Sequence, residues 1–473
     1  MTSSKAKHTI VVSDVHLSQT HVPEPDDALW MRYRASDCHP DDDFVAFVDR
    51  ILEACEGGAI ELVFNGDVLD FDAPLAKDGK STFEEYPVDD AGCAAHVRRI
   101  CADHPGFTSA VKKLLAASPE HRVLFTSGNH DLELYWPGVR AAIRDVLGAS
   151  EERVRFRTWF HVTEDRIYIE HGSQYDMLNG VPDPMVPVVR ESESAPLTIK
   201  PVAGKLAFKR IGSRMGYFNP YYEETFYLGL SGYLRHFAKH YLFSHHHIFR
   251  TWMRGAIATV VEIMRHREPW RPALSEASVT LAARETQASR DAILATHALR
   301  VRSAEHAMLP ILRELWLDRI FIILFTLFVL VTCITLTSLT FTAGVAGVLA
   351  LAIVAYELLT PKPDIRTYDS APPTVRQLYE IHDVRAMCMG HTHRPVGTWE
   401  DGRFWGNSGA WCPAFIDEHC KEPVLSGRPF LWLTSDSAGL RGGLHWLRGG
   451  VIEDDAGTAP GVDFLRPARR DSL

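Results

Sequence analysis

From Ile320 to Tyr356 the chain runs for 37 residues without a charged side chain, bounded by Asp318-Arg319 and Glu357. As one straight helix this stretch is about 55 Å long, well past a hydrocarbon core of about 30 Å. Observed tilts, below about 40°, do not absorb the excess. Its middle is polar, with Thr335, Thr337, Ser338, Thr340, Thr342 and Gly344. The pattern therefore predicts two helices, roughly 320–336 and 341–359, folded back as a hairpin. Apolar runs beyond about 18 residues are the usual signal of a membrane span. The competing reading is a hairpin buried in a soluble core or a dimer interface.

The rest of the chain does not look like a membrane protein. Across 473 residues the mean hydropathy is −0.09, with 46% hydrophobic and 23% charged residues. That excludes a disordered chain, a collagen-like repeat and a small disulfide scaffold, and argues against a polytopic transporter. Eight scattered cysteines contain no C-x-x-C pair, as expected of thiols in a reducing compartment. Residues 1–7 carry no apolar signal stretch, so the N-terminal half is expected in the cytosol. The net charge of −10 hides a division. Between Lys200 and Arg271 there are 12 Lys or Arg against 4 Glu, with 14 aromatic residues interleaved. The remainder is strongly acidic, which argues against a general nucleic-acid binder.

Short β-branched and aromatic runs at Ile10-Val11-Val12, Leu62-Val63-Phe64, Val123-Leu124-Phe125 and Ile167-Tyr168-Ile169 read as buried strands. Phe44, Phe47, Val48, Ile51, Leu52 and Cys55 recur at helical spacing between the first two, behind Asp41 to Asp43 and before Gly57-Gly58. This alternation predicts an α/β domain. Further strand-like runs lie at Val384 to Met389, Arg403 to Trp405 and Phe430 to Leu433, after one or two helices over 282–317. The expected organisation is an α/β domain in two pieces, 8–180 and 374–448. These are separated by a basic aromatic helical insert over 181–318 and the hairpin at 319–360, and followed by a loose tail at 449–473.

Five polar motifs close these strands: Asp14-Val15-His16, Gly66-Asp67-Val68-Leu69-Asp70, Gly128-Asn129-His130-Asp131, His171-Gly172 and Gly390-His391-Thr392-His393. The C-terminal ends of strands are where open α/β sheets place their sites. Carboxylate, imidazole and amide oxygen form a donor set suited to manganese, iron or zinc and not to copper. One such motif arises by chance or serves only hydrogen bonding. Five in this order, each at its own strand end, point to a metal constellation.

The ordered set resembles the calcineurin-like metallophosphoesterase superfamily over about 8–176 and 376–448. The resemblance implies a two-sheet sandwich flanked by helices that hydrolyses phosphate esters or anhydrides with two divalent metal ions, expected to be manganese, with iron or zinc as substitutes. It implies that Asp14, His16, Asp67 and His393 hold one metal, and Asp67, Asn129, His171 and His391 the other, with Asp67 bridging. His130 would stand beside the substrate phosphate, oriented by Asp70. In the chemistry of such a pair, hydroxide from a shared water attacks phosphorus while a histidine protonates the leaving oxygen. The helical insert before Gly390-His391-Thr392-His393-Arg394-Pro395 is similar to that of the UDP-2,3-diacylglucosamine hydrolase-like branch, which cleaves a lipid pyrophosphate at the cytoplasmic face of bacterial inner membranes. Two positions depart from that branch, His130 where arginine is usual and Ser173 after His171-Gly172. The insert is also longer.

Topology sharpens the membrane reading. His171 precedes the uncharged stretch and His391 and His393 follow it, so a shared metal pair requires an even number of crossings. Arg313, Arg319, Lys362 and Arg366 would flank the hairpin on the catalytic side, as the positive-inside rule demands. Tyr217, Phe218, Tyr221, Tyr222, Phe226, Tyr227, Phe237, Tyr241 and Trp252 would then lie at headgroup level, or form the core of an ordinary helical subdomain. His245-His246-His247, with His236 and His240, reads as a polar stripe without carboxylate or cysteine at ligand spacing. The expected function is a phosphoesterase in the cytoplasmic membrane, its catalytic domain cytoplasmic, acting on a phosphorylated, lipid-linked substrate amid membrane lipids, with no nucleic acid as partner. A soluble nucleotide or phosphodiester substrate with the hairpin as tether is the alternative. A catalytically silent scaffold is the third reading.

Overall fold

The computed structural model describes residues 7–24, 29–55, 57–82, 86–190, 192–214, 219, 221–222, 248–267, 274–306, 308–315, 317–360, 373–417 and 419–455. Its strands are, in chain order, β1 (Lys7–Val12), β2 (Ala59–Asn65), β3 (Leu75–Lys77), β4 (Lys80–Thr82), β5 (Arg122–Thr126), β6 (Val154–Arg157), β7 (Phe160–Val162) and β8 (Ile167–Glu170). There follow β9 (Val188–Val189), β10 (Thr198–Ile199), β11 (Ala386–Met389), β12 (Val396–Glu400), β13 (Arg403–Asn407), β14 (Arg428–Asp436), β15 (Gly439–Arg448) and β16 (Val451–Asp454). The fold is mixed α/β. One sheet has the order β16-β15-β14-β1-β2-β5-β6 and a second β12-β13-β11-β8-β7, beside two small hairpins.

Alternation along the strands decides the layering. Ile10, Val12, Leu62, Phe64, Val123 and Phe125 face one core, with α1 (Asp41–Ala54), α2 (Asp90–Asp103), α3 (Pro105–Ala117) and α4 (Pro137–Leu147) packed above it. Their intervening neighbours Val11, Val63 and Leu124 face the other way, onto Ile167, Ile169, Ala386, Cys388 and Phe404 of the second sheet. Strands buried on both sides must be continuously apolar, which is why these runs show no polar alternation. β1, β2 and β5 run parallel to one another, as do β8, β11 and β13. The C-terminal ends within each parallel set therefore share an edge, and the five motifs gather there.

Several expectations change. The region 282–317 is three helices, Glu276–Thr286, Arg290–Ala298 and Met308–Glu314. Gln287 ends the first in a left-handed conformation, and the Ser289 hydroxyl caps the second by accepting from the Ala292 amide. Strand β11 begins at Ala386 and not at Val384, because Asp383 closes a preceding helix with φ 48°. The tail is not loose from 449: Gly449-Gly450 turn the chain and Val451–Asp454 pairs with β15. Residues 456–473 lie outside the described set.

The insert is not a separate appendage. Val279, Ala282 and Ile293 pack with Tyr168, Met387 and Met389 on the outer face of the second sheet. The hairpin consists of Leu317–Leu336 and Leu339–Leu359, 20 and 21 residues, each about 30 Å long and apolar enough to cross a membrane. The first helix starts three residues earlier than the uncharged run because its two charges are matched. Arg319 Nε donates to Glu357 Oε1 at 2.8 Å, and Tyr356 donates its hydroxyl to Asp318. The described residues cover almost none of either helix, with Phe328 68% and Leu351 72% exposed. Among the described residues the hairpin is therefore not buried in the core. Most aromatic residues of the basic aromatic segment, including Tyr217, Phe218, Phe226, Tyr227, Phe237 and Tyr241, fall outside the described residues, as do His236, His240, His245 to His247, Lys362 and Arg366.

Candidate metal centre

The loops after β1, β2, β5, β8 and β11 bring all nine candidate residues, Asp14, His16, Asp67, Asp70, Asn129, His130, His171, His391 and His393, to one edge of the sandwich. Potential ligand atoms of Asp14, His16 and His393 all lie within 4.8 Å of one another, as do those of Asp67, His171 and His391. Asp67 links the two groups, its Oδ2 being 3.2 Å from His171 Nε2 and 4.0 Å from His16 Nε2. Asn129 Oδ1 is 3.2 Å from His171 Nε2. A third grouping, His16, Asp70 and His130, satisfies the same distance test.

The backbone is bent to achieve this. Asp14, His16, Asp67, His391 and His393 all sit at left-handed φ, between 51° and 70°. Such conformations cost about 1–3 kcal/mol each for residues with a Cβ and collect at functional sites. Glycines admit the close approaches. A Cβ on Gly128 would come within 2.2 Å of Asp67 Oδ1, and one on Gly390 within 2.7 Å of Asp14 Oδ2.

Unsatisfied groups test whether a cation fits. Asp14 Oδ1 and both ring nitrogens of His16 are buried without a hydrogen-bond partner. Asp14 Oδ1 is nevertheless 3.3 Å from His393 Nε2. Donor atoms that crowd together without bonding one another are what ligands of a common ion look like, since leaving them bare costs about 1–3 kcal/mol each. The residues present thus fit divalent metal binding. The electrostatics agree. Burial disfavours a charged His171, yet Asp67 and Asp14 outweigh it and lift its pKa to about 9. Burial likewise opposes ionisation of Asp67, but His171 and His130 hold its carboxyl well below the usual range. The pocket draws positive charge.

The surroundings include residues to which the sequence reading gave no role. His171 Nδ1 lies 2.9 Å from the Asn65 carbonyl, which accepts its proton and leaves Nε2 toward Asp67. Asp131 accepts the Gly128 amide at 2.6 Å and the Val68 amide at 2.9 Å, tying two ligand loops together. Its burial, with Asp67 nearby, raises its pKa to about 7. His391 Nε2 is 3.0 Å from Asp176 Oδ2. His130 Nδ1 is nearer Asp72, at 3.1 Å, than Asp70, at 3.6 Å. Asp70 also accepts the amides of Asp72 and Ala73 and the hydroxyl of Tyr221. Asp131 closes the motif Gly128-Asn129-His130-Asp131, and Asp72 and Asp176 stand two and four residues beyond the motifs that end at Asp70 and Gly172; that proximity was the available signal.

Tyr221 corrects the headgroup expectation for its own position. It is 4% exposed, its ring tilted against that of His16 with centroids 4.6 Å apart, and its carbonyl is 3.4 Å from His393 Nδ1. From α5 (Ala203–Arg210), Phe208 packs 4.8 Å from the His130 ring and Lys205 reaches Glu133 and Asp72. The insert therefore builds one wall of the site. Only His130, His391 and His393 among the nine retain appreciable exposure, 12%, 14% and 22% by side chain, and they form the rim toward solvent.

No protein-family profile matches the chain, and no curated protein matches its sequence. Among solved structures it is similar to Vacuolar Protein Sorting 29 from Cryptosporidium parvum, at 19% identity and a TM-score of 0.14. That match covers 19% of this chain and 44% of the other, less than half of its length. A likeness so slight supports no inference about fold or function.

Proposed function

We propose that this chain is a metal-dependent phosphoesterase of the calcineurin-like type. In this reading it is anchored in the cytoplasmic membrane and hydrolyses a lipid-linked phosphate ester or pyrophosphate at the cytoplasmic leaflet. The observation that carries the reading is Asp67, a buried carboxylate standing between two His/Asp clusters, in the first of which Asp14 Oδ1 and both His16 ring nitrogens are buried without a hydrogen-bond partner. Asp14, His16, Asp67 and His393 would hold one divalent ion and Asp67, Asn129, His171 and His391 a second. Manganese, iron and zinc all suit that donor set, manganese best matching its oxygen share. When bound, such a pair supplies an activated water and neutralises phosphoryl oxygens.

The chain's own groups supply the rest. His130, at the rim, faces the position of a leaving oxygen and holds a proton there. Asp67, Asp70 and Asp72, outweighing burial, keep its pKa well above that of a free imidazole. Asp72 and Asp70 set its ring orientation from behind. Phe208 and Tyr221 cover the same side, packed against the rings of His130 and His16 respectively.

The lipid substrate is supported by the insert. The helix Ala203–Arg210 sets Phe208 against His130 and Leu206 in the core against which Leu317, at the base of the apolar hairpin, packs. A silent scaffold is disfavoured, because strain and bare acceptors would serve nothing there. The test screens purified, Mn²⁺-loaded protein against lipid pyrophosphates, lipid monophosphates and nucleotides, and compares each with a variant lacking 320–359 behind a short linker. Loss confined to the lipid substrates supports the full reading. Equal turnover of a soluble chromogenic diester and a dispersed lipid by both proteins leaves only a tethered phosphoesterase.

A further inference from the structure

The helix Ile248–Arg265 has two unlike faces. Ala256, Thr259 and Ile263 point inward and are buried. Ala256 and Ile263 join Leu206, Ile211, Ile311 and Leu315 in a small core, with Leu317, the first residue of the hairpin, packed against it. The outward face carries Arg250, Arg254, Ile257, Val261, Met264 and Arg265, all exposed. Spacings of four, three, four and three residues place the first five on one stripe of a helix about 27 Å long.

This stripe pairs two chemistries. Ile257, Val261 and Met264 leave apolar surface in water, at 51%, 41% and 62% exposure. Arg254 and Arg265 have no ion-pair partner among the described residues. The single acid of the helix, Glu262, is paired with Arg210. Together Arg210, Arg254, Arg265, Ile257 and Val261 border an open groove of about 400 Å³. Nucleic acid would not need the three aliphatic side chains. A lipid surface presents both complements, anionic phosphates and the edge of the acyl region. The shared core with Leu315 and Leu317 holds the stripe beside the point where the hairpin would enter a bilayer.

We propose that Ile248–Arg265 is an interfacial helix. It lies on the leaflet that the hairpin enters, with Ile257, Val261 and Met264 at the acyl boundary and Arg254 and Arg265 on anionic phospholipid phosphates. The inference rests on the reading that the hairpin spans a membrane. Its partner is the anionic leaflet itself, and a second copy of the chain or another protein is an outcome that would count against it.

The full chain is reconstituted in nanodiscs of phosphatidylcholine, with or without phosphatidylglycerol. An environment-sensitive fluorophore is placed at Ile257→Cys, at Thr280→Cys on an exposed face elsewhere in the insert, and at Val348→Cys in the hairpin. Labelled parent protein supplies the background from native thiols. Iodide quenching at position 257 is expected to fall several-fold when phosphatidylglycerol is present. The double substitution Arg254→Gln and Arg265→Gln should restore it, while position 280 stays quenched in both lipids. Position 257 quenched like position 280 in both lipids, with 348 protected, overturns this inference alone. Protection at 257 that ignores phosphatidylglycerol, or that grows with protein concentration, overturns it in favour of another partner. Quenching at 348 overturns the spanning reading and this inference with it.

Discussion

The Tyr221 hydroxyl donates to Asp70 Oδ2 at 2.7 Å across 151 residues of sequence, so a residue of the insert occupies the carboxylate next to the metal candidates. Asn219 helps hold that loop, donating to the Pro413 carbonyl at 3.2 Å and accepting the Tyr221 amide at 3.0 Å. The insert and the two-part α/β domain meet at the chemistry and not merely at a hinge. Tyr221→Phe removes one hydrogen bond to a carboxylate, worth about 1.5–3 kcal/mol, and should lower kcat on a chromogenic diester roughly 10- to 100-fold. Metal content should not change. Unchanged kcat would mean that Asp70 needs no such restraint.

Gly128→Ala places a methyl group where Asp67 Oδ1 lies. Moving that carboxylate should weaken metal binding about 10- to 100-fold, as displaced support of a ligand does. Metal titration of the variant checks this, with the melting temperature recorded to separate local displacement from unfolding.

Lys205 joins Glu133 Oε1 at 2.8 Å and approaches Asp72 Oδ1 at 3.4 Å, all three being buried. Lys205→Met strands two carboxylates and should cost about 3–5 kcal/mol of stability, read by chemical denaturation in detergent. A loss below about 1 kcal/mol would place this pair with solvated ion pairs.

Three histidines outside the centre set an acid limit. Burial is the main cause in each case, pushing His96 down to about 3 and His297 and His382 to about 4. Unfolded, each binds a proton near pH 6.5; folded, none does until the pH is far lower. Their contribution to stability is therefore complete above about pH 6.5 and is lost as pH falls toward 3–4, each adding a slope of at most about 1.4 kcal/mol per pH unit. Melting temperatures should fall below about pH 6.5, and His96→Leu should flatten that decline.

Much of the fold was legible because it depended on local pattern. Val11, Val63 and Leu124 belong to runs that only a doubly covered strand explains, and the motifs close those runs. The hairpin turn at Thr337-Ser338 followed from the polar break, where the Ser338 hydroxyl accepts the Phe341 amide at 3.3 Å. What stayed hidden depends on distant partners. Nothing near Tyr221 in sequence marks it as a neighbour of His16, and its basic, aromatic surroundings pointed to a lipid interface. Asp72 looked like an ordinary loop residue until folding set it 3.1 Å from His130. Strand β16 was missed because Gly449-Gly450 reads as the start of a loose end when its pairing partner is unknown.

The central claim is that Asp67 joins two metal sites that drive phosphoester hydrolysis. The most direct measurement counts metal bound to purified protein while following hydrolysis of a chromogenic phosphodiester through EDTA treatment and Mn²⁺ return, with Asp67→Ala alongside. Two ions per chain are expected, with activity abolished by EDTA and restored by Mn²⁺. Asp67→Ala should lose at least roughly 10³-fold in rate, the several kcal/mol that metal charge stabilisation supplies. Full turnover by the metal-free protein, or by Asp67→Ala, would contradict the account.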